Sequence, residues 1–296
     1  MAARPSRNCP FPPVPEDAMT QMHDKDDRLA RIRDNASWMR RRAMQMVFAR
    51  GLGHIGGDLS ATDIVATLFF GVLNFDPKRP DWPDRDRFVM SKGHATGVLY
   101  TALARAGYWP EDRLDTYMDD GSMLNGHPNR NYLPGVEANT GPLGHGFPIA
   151  LGIAIGGRIA KRNYRTFVLT GDGEQQEGSN WEAAMTAAHR KVGNLTLIID
   201  RNRLQQGAGT EETAGLDPLD AKYCAFGWEV VEVDGHDHGQ LLEVLGAPVG
   251  SRERPLCVIA NTIKGKGVSF MENRVKWHHG VPNEAEYEQA IEELAQ

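Results

Sequence analysis

Short apolar runs alternate with helical stretches along most of the chain, and this alternation is the feature that most constrains its fold. Runs rich in Val, Ile and Leu are predicted as strands at 87–90, 166–170, 195–199, 229–233 and 256–260. Helical patterns lie before and between them, at 95–106, 145–162, 179–191, 217–226 and 238–246. The alternation predicts an α/β fold: a doubly wound, mostly parallel sheet with helices on both faces. In such sheets ligands bind in the loops at the carboxyl ends of the strands.

The N-terminal region is expected to differ from the rest of the chain. Residues 1–24 contain five prolines, which oppose helix and central strand, so this segment is predicted to be a tail. Residues 25–296 are predicted to form one α/β domain that ends in a helix. A first helix is expected over 26–50, with arginines at 31–42 facing solvent or a partner. A glycine loop at 51–57 and a second helix capped by Ser60 should follow.

Composition excludes several classes of protein. The 296 residues carry a net charge of -6, which argues against nucleic-acid and anionic-membrane surfaces. We expect no membrane span and no secretion, because no long apolar window or signal pattern is evident. The three cysteines include no CxxC pair, which excludes a disulfide scaffold and suits a reducing cytoplasm.

Polar side chains follow two neighbouring predicted strands. Asp172 lies in a Gly-Asp-Gly turn after the strand at 166–170, and Asn202 follows the next strand along the chain. Carboxylate and amide oxygens are ligands that Mg²⁺ or Ca²⁺ prefers, and the glycines allow backbone N–H groups to approach a diphosphate at a helix N-terminus. The alternative is a turn that only caps the next helix.

Five histidines lie beside a glycine in predicted loops: His54, His94, His127, His145 and His279. Glycine permits tight turns and close approach of a ligand, and imidazoles can bind phosphate and move protons near neutral pH. We therefore expect these histidines to share a site. Four others are interpreted as ordinary surface or core residues, namely His23, His189, His236 and His238. The His236–Asp–His238 pair lacks a third nearby ligand in the sequence and is weak as a metal site.

The run from Gly171–Gly173 to Asn202 resembles the thiamine diphosphate motif of thiamine-dependent enzymes. The chain from about residue 27 to residue 282 resembles the N-terminal, diphosphate-binding half of transketolase. The loops that carry this resemblance, in family order, are Gly53–Gly56, Ser91–Ala95, Gly126–Pro128, Gly141–Gly146 and His279–Pro282. The fold that it implies is the diphosphate-binding domain of thiamine enzymes.

The resemblance also implies a role for each matched residue. Asp172, Asn202 and the carbonyl of Leu204 would hold Mg²⁺ or Ca²⁺. Leu204 and Ile263 would lie against the rings of thiamine diphosphate, and the backbone of Gly173 would contact its diphosphate.

The remaining loops complete the implied site. His94 and His279 would also hold the diphosphate, while the backbones of Gly141 and Leu143 would contact the aminopyrimidine. The residues implied to bind the sugar and move protons are His54, His94, His127 and His279.

At five further positions the residue departs from the family pattern, or its match to the family is less specific. Glu177, placed with the cofactor-binding residues, and Glu182 resemble acidic residues near an interface between two active sites. Ile55 replaces the proline of the first loop, and His145 stands where glutamine is usual. Lys264 is expected either to reach the diphosphate or to be solvated.

The motifs end at His279, and 14 residues follow Pro282, which leaves no room for the pyrimidine-binding half. The chain is therefore predicted to be one subunit of a split transketolase. With a separate C-terminal-half subunit, as an α2β2 heterotetramer, it would move a two-carbon ketol unit from a ketose phosphate to an aldose phosphate. The alternatives are the α chain of a 2-oxoacid dehydrogenase, one chain of a deoxyxylulose-phosphate-synthase-like enzyme and a catalytically silent interaction subunit.

Overall fold

The computed structural model describes residues 4–5, 21–248 and 250–295, and its centre is a six-stranded sheet. The strand order is β1-β7-β8-β4-β3-β2. The strands are β1 (Arg4–Pro5), β2 (Arg87–Met90), β3 (Thr166–Gly171), β4 (Leu195–Arg201), β7 (Glu229–Asp234) and β8 (Leu256–Asn261). A separate antiparallel pair joins β5 (Leu204–Gln205) to β6 (Ala208–Gly209).

Five of the six strands run parallel, and β1 pairs antiparallel with β7 at the edge. The central strands β3, β4 and β8 are buried along almost their whole length, which is typical of a parallel sheet covered on both faces. In the β3–β4 register Gly171 lies opposite Asp200, so the two strands end at the same edge. The predicted strands are confirmed, and their order brings the loops after β3 and β4 together.

Helices cover both faces of the sheet. They are α1 (Gln21–Arg50), α2 (Ile55–Thr67), α3 (Thr96–Arg105), α4 (Gly146–Ile159), α5 (Gly178–His189), α6 (Thr210–Thr213), α7 (Leu219–Phe226), α8 (His238–Leu245) and α9 (Glu284–Glu293). One core cluster draws on α1, α2, α3 and α8, and the other on α4, α5 and α7. This arrangement confirms the predicted doubly wound α/β architecture.

The start of α2 differs from the prediction. The helix begins at Ile55, so Gly56 and Gly57 are helical and Ser60 lies inside the helix instead of capping it. Ser60 Oγ is instead 2.6 Å from the Asp200 carboxylate on β4. Glycine is required at position 56 by packing, because a Cβ there would lie 2.6 Å from the Trp277 carbonyl oxygen. Tertiary contacts therefore override the tendency of a glycine pair to break a helix.

The arginines of α1, predicted to face solvent or a partner, divide into two groups: Arg31 and Arg33 are exposed, whereas the other three are partly buried and bind other parts of the chain. Arg40 pairs with the buried Asp63, Arg41 donates to the Leu294 carbonyl oxygen at 3.0 Å, and Arg42 pairs with Asp115. These bonds attach α1 to α2 and to the C-terminal region. The predicted tail, apart from Arg4–Pro5 and residues 21–24 of α1, lies outside the described residues.

One helical stretch in the described part of the chain, Ile55–Val72, is long and apolar enough to cross a membrane by length and composition. This differs from the expectation that no such window exists. The stretch is 83% buried inside the protein, as a core helix is, so it is weak evidence for a span.

Candidate active site

A cavity of about 820 Å³ opens at the carboxyl ends of β3 and β4. It lies at the edge of the sheet where ligands bind in parallel α/β folds. Its lining combines strand ends with the glycine loops singled out in the sequence. The expected site residues that line it are His54, His94, Gly141, Leu143, Asp172, Gly173, Glu177, Asn202, Leu204, Lys264 and His279.

Asp172 is the carboxylate of this set, and it is only 1% exposed. Its Oδ1 accepts from Gly173 N at 2.8 Å, and its Oδ2 accepts from Arg203 N at 2.5 Å. Burial, and then the nearby Asp200, raise the pKa of Asp172 to about 6. A cation bound at this carboxylate would therefore relieve an unfavourable buried charge.

Asn202 and Leu204 supply the other oxygens of the expected cation site. The loop that carries them turns sharply at Arg203, whose φ is +64°, and Asn202 Oδ1 accepts from Leu204 N at 3.1 Å. The neighbouring Gln205 Oε1 is buried with no hydrogen-bond partner. A carboxylate, an amide and a carbonyl are hard oxygen ligands, so this donor set fits Mg²⁺ or Ca²⁺. Among the described residues, no cluster of three His, Cys, Asp or Glu side chains forms a further candidate metal site.

A buried ion pair between Lys92 and Asp200 lies beneath the cavity, and sequence analysis did not select it. The two side chains are 2% and 0% exposed. Lys92 Nζ also donates to the Gly57 carbonyl oxygen at 3.1 Å, and Asp200 accepts from the hydroxyls of Ser60 and Thr262. The pair therefore connects the β2 loop, α2 and the ends of β4 and β8.

Lys264 is the second buried cation of the site. It is 2% exposed, so the expectation of a solvated lysine is wrong. Its Nζ lies 3.3 Å from the Leu204 carbonyl oxygen and 2.9 Å from His278 Nδ1. Burial and the neighbouring Lys92 lower the pKa of Lys264 to about 8. The Lys264 ammonium lines the cavity, where its charge favours an anion such as a diphosphate, whereas the charge of Lys92 is compensated by Asp200.

Histidines from separate loops meet at the cavity. The His54 ring centroid lies 5.3 Å from that of His94, 6.3 Å from His127 and 4.5 Å from His279. His278, which sequence analysis missed, lies 5.6 Å from His54 and 5.3 Å from His94. Its own signal was weak, because its neighbour His279 was the residue that matched the glycine pattern.

Burial favours the neutral form of three of these imidazoles, those of His54, His94 and His278. Burial, then His279, lowers the pKa of His54 to about 4, and burial, then Lys264, lowers that of His278 to about 3. Burial, then Lys92, holds the pKa of His94 well below its usual value. A neutral imidazole can donate one hydrogen bond and accept another, which suits contacts with sugar hydroxyls and carbonyls.

Four predicted positions lie outside the cavity lining, namely His127, Ile263, His145 and Glu182. His127 lies beside the cavity, near His54. The backbone of Gly141 packs against the His127 ring, because a Cβ at Gly141 would lie 2.8 Å from His127 Cδ2. Ile263 is half-buried, and its backbone N–H donates to His236. His145 is exposed, with Nδ1 3.1 Å from the Leu143 carbonyl oxygen.

Glu174 joins three of the site loops, and its role was not visible in the sequence. The side chain is buried, and Oε1 accepts from Gly144 N at 3.0 Å and from Ser91 Oγ at 2.5 Å. Its Oε2 accepts from Gly171 N at 3.1 Å. Glu177 is exposed at the cavity, whereas Glu182 is exposed on α5 and is not part of its lining.

Sequence comparison identifies proteins whose sequences are similar to that of this chain. One subunit of the apulose-4-phosphate transketolase of Actinobacillus succinogenes is 50% identical over 242 residues, covering 82% of this chain and 87% of the relative. The 6-deoxy-6-sulfo-D-fructose transketolase subunit SqwG of a Clostridium species is 37% identical, covering 89% of this chain and 96% of the relative.

Solved structures agree with this result. Transketolase from Leishmania mexicana superposes with a TM-score of 0.84 at 31% identity, covering 90% of this chain. The chain spans about two fifths of that enzyme, 41% of its length. The family model described as "Transketolase, thiamine diphosphate binding domain" matches residues 32–295. The chain therefore belongs to the transketolase family and carries its thiamine diphosphate binding domain.

Proposed function

We propose that this protein is the diphosphate-binding subunit of a heteromeric transketolase, which moves a two-carbon ketol unit from a ketose phosphate to an aldose phosphate. The observation that supports this proposal most strongly is that two features meet in one cavity. Buried oxygen ligands lie at the ends of β3 and β4, and the cations Lys92 and Lys264 lie beside four histidines. The relatives named as transketolase subunits support the same function.

In this proposal Asp172, Asn202 and the Leu204 carbonyl would hold Mg²⁺, and the charge of the metal would help to bind the diphosphate. The donor types and the raised pKa of Asp172 support the assignment. The backbone N–H of Gly173, with Lys264 and the nearby histidines, would hold the remaining diphosphate oxygens.

Bound thiamine diphosphate supplies the carbon nucleophile that adds to a ketose carbonyl. The protein's own contribution is to bind and orient the sugar and to move protons at its oxygens. His54 and His94 are neutral near pH 7 and can serve as acceptors or donors at these oxygens. His127 and His279, at the more exposed side of the cluster, are assigned to the substrate.

The second half of the active site is assigned to a separate subunit. The alignment with the Actinobacillus relative spans 87% of that subunit, whereas the alignment with human transketolase spans 44% of that chain. The partner would carry the pyrimidine-binding half, and we propose an α2β2 assembly. A cytoplasmic location is also proposed, supported by a sequence whose three cysteines include no CxxC pair.

The names of the relatives indicate which substrates should be tested. Two of them are named for apulose 4-phosphate and one for 6-deoxy-6-sulfo-D-fructose, so branched and sulfonated ketoses belong in the substrate panel with ordinary ketose phosphates. The transketolase relatives and the histidine cluster favour ketose transfer over 2-oxoacid decarboxylation, deoxyxylulose-phosphate synthesis or a silent subunit.

Calorimetric titration of thiamine diphosphate, with and without Mg²⁺, tests the cofactor assignment. Asp172→Asn keeps the shape of the side chain but removes its charge, and we expect Mg²⁺-dependent affinity to fall at least about tenfold. The control is Asp76→Asn, a partly exposed carboxylate that pairs with Arg79 outside the site. Equal affinity of the Asp172→Asn variant and the control would refute the metal assignment.

A further inference from the structure

A second cluster of buried polar groups lies next to the site and has no part in the proposed chemistry. Its centre is Asp63, whose side chain is 5% exposed. His236 Nδ1 lies 2.7 Å from Asp63 Oδ2, His238 Nε2 lies 2.9 Å from Asp63 Oδ1, and Arg40 pairs with the same carboxylate. Although burial opposes ionisation, Arg40 and the histidine bonds hold the pKa of Asp63 well below its usual value. Asp63 is therefore a fixed anion.

The other ring nitrogen of His236 points to the loop after β8. His236 Nε2 accepts from the backbone N–H of Ile263 at 2.9 Å. Because a backbone N–H can only donate, Nε2 must be unprotonated, and the single ring proton lies on Nδ1. Nδ1–H then donates to Asp63, which fixes both the tautomer and the ring orientation.

The segment held in this way leads directly into the cavity. Thr262 binds the Asp200 carboxylate, and Lys264, one residue beyond Ile263, reaches the Leu204 carbonyl oxygen at 3.3 Å. The Ile263 N–H bond lies between these two attachments. Loss of that bond would free the middle of the segment and change where the Lys264 ammonium lies.

We propose that His236, oriented by Asp63, is a positioning residue that holds the 262–264 segment and thereby places Lys264 for the diphosphate. The placement of Lys264 for the diphosphate rests on the proposed cofactor function, whereas the role of His236 in holding the 262–264 segment does not. His236 is not among the residues that line the cavity, and its two ring nitrogens are engaged with Asp63 and with the backbone N–H of Ile263.

His238 provides a matched control. Its side chain is 10% exposed, against 13% for His236, and it binds the other oxygen of the same carboxylate. In the part of the chain that the structure describes, its ring is hydrogen-bonded to Asp63 and not to the 262–264 backbone. A general loss of stability should follow substitution of either histidine, whereas a change in the segment should follow substitution of His236 only.

Three full-length variants separate these effects. In His236→Asn the side-chain NH2 can take the place of Nδ1–H and donate to Asp63, but no atom remains at the Nε2 position to accept from the Ile263 N–H. In His236→Gln the amide oxygen can occupy the Nε2 position and accept that bond. His238→Asn removes the other bond to Asp63. The readouts are hydrogen exchange of the Ile263 amide without cofactor and the Kd of thiamine diphosphate with Mg²⁺.

We expect His236→Asn to speed exchange at Ile263 about fivefold or more and to raise the Kd about fivefold, as loss of one hydrogen bond predicts. His236→Gln should recover most of both effects, and His238→Asn should change neither. The proposal is overturned if exchange at Ile263 is the same in His236→Asn and wild type, or if His238→Asn changes it equally. Absence of cofactor binding by the complex of the wild-type chain with its partner subunit would instead refute the proposed function, and the exchange data would still decide whether His236 holds the segment.

Discussion

Removal of the Lys92 ammonium should destabilise the protein strongly. In Lys92→Met the side chain keeps its approximate length and apolar stem, but Asp200 loses its cation. The Asp200 side chain is 0% exposed, so water cannot replace the lost partner. Only hydrogen bonds such as those from Ser60 and Thr262 would remain. The variant therefore isolates the effect of an uncompensated charge under the cavity.

The expected loss is about 3–5 kcal/mol in the free energy of unfolding, the usual effect of breaking a buried pair from one side. The double variant Lys92→Met/Asp200→Asn removes the stranded charge; its amide keeps an oxygen acceptor for one of the two hydroxyls, and its NH2 can donate to the oxygen of the other. It should therefore recover at least about half of that loss. The exposed pair of Arg162 and Asp84, with side chains 44% and 40% exposed, is the control. Arg162→Met should lose less than about 1 kcal/mol.

Urea denaturation followed by tryptophan fluorescence gives these free energies for the full-length chain. The reasoning is refuted if Lys92→Met loses no more than Arg162→Met. It is also refuted if the double variant is as unstable as Lys92→Met, because the loss would then come from packing instead of charge.

Four further results are expected. His127→Ala should lower kcat of the assembled enzyme more than it weakens cofactor binding, and an equal loss of cofactor affinity would contradict its assignment to the substrate. Gly141→Ala should lower the free energy of unfolding by about 1–3 kcal/mol. The φ of Gly141 is +146°, which alanine rarely adopts, and the new Cβ would contact His127. An unchanged Tm in thermal unfolding would refute this. Burial raises the pKa of Asp58 to about 7, so its protonated form is favoured on folding. The free energy of unfolding should therefore fall as pH rises from about 4 to 7, and a slope that is equally steep in Asp58→Asn would exclude this group. Since the pKa of Asp172 is raised to about 6, apparent Mg²⁺ affinity should weaken about tenfold per pH unit below 6, and a flat profile in calorimetry would contradict it.

The sheet and the meeting of Asp172 and Asn202 at one cavity were predictable because their signals are local. The apolar runs of β3 and β4 predicted buried strands, and parallel strand ends meet at one edge, which brings Asp172 and Asn202 together. The glycine beside His54, His94 and His279 was likewise a local signal for a loop that lines the cavity. These inferences needed only chain order and elementary geometry.

The groups that support the site depend on distant partners and could not be predicted in the same way. Lys92 and Asp200 are 108 residues apart, and Asp63 and His236 are 173 residues apart. Ser60 had the local features of a helix cap, but its hydroxyl is bound to Asp200 inside α2. Position in the sequence does not reveal such pairings, because the sheet order decides which loops become neighbours.

The most direct test of the proposed function is a ketol-transfer assay on three samples with thiamine diphosphate and Mg²⁺. The samples are this chain alone, a partner that carries the pyrimidine-binding half alone, and the two combined. We expect turnover of ketose and aldose phosphates only in the combined sample, and its loss when this chain carries Asp172→Asn. Turnover by this chain alone, or full activity with the Asp172→Asn variant, would contradict the account.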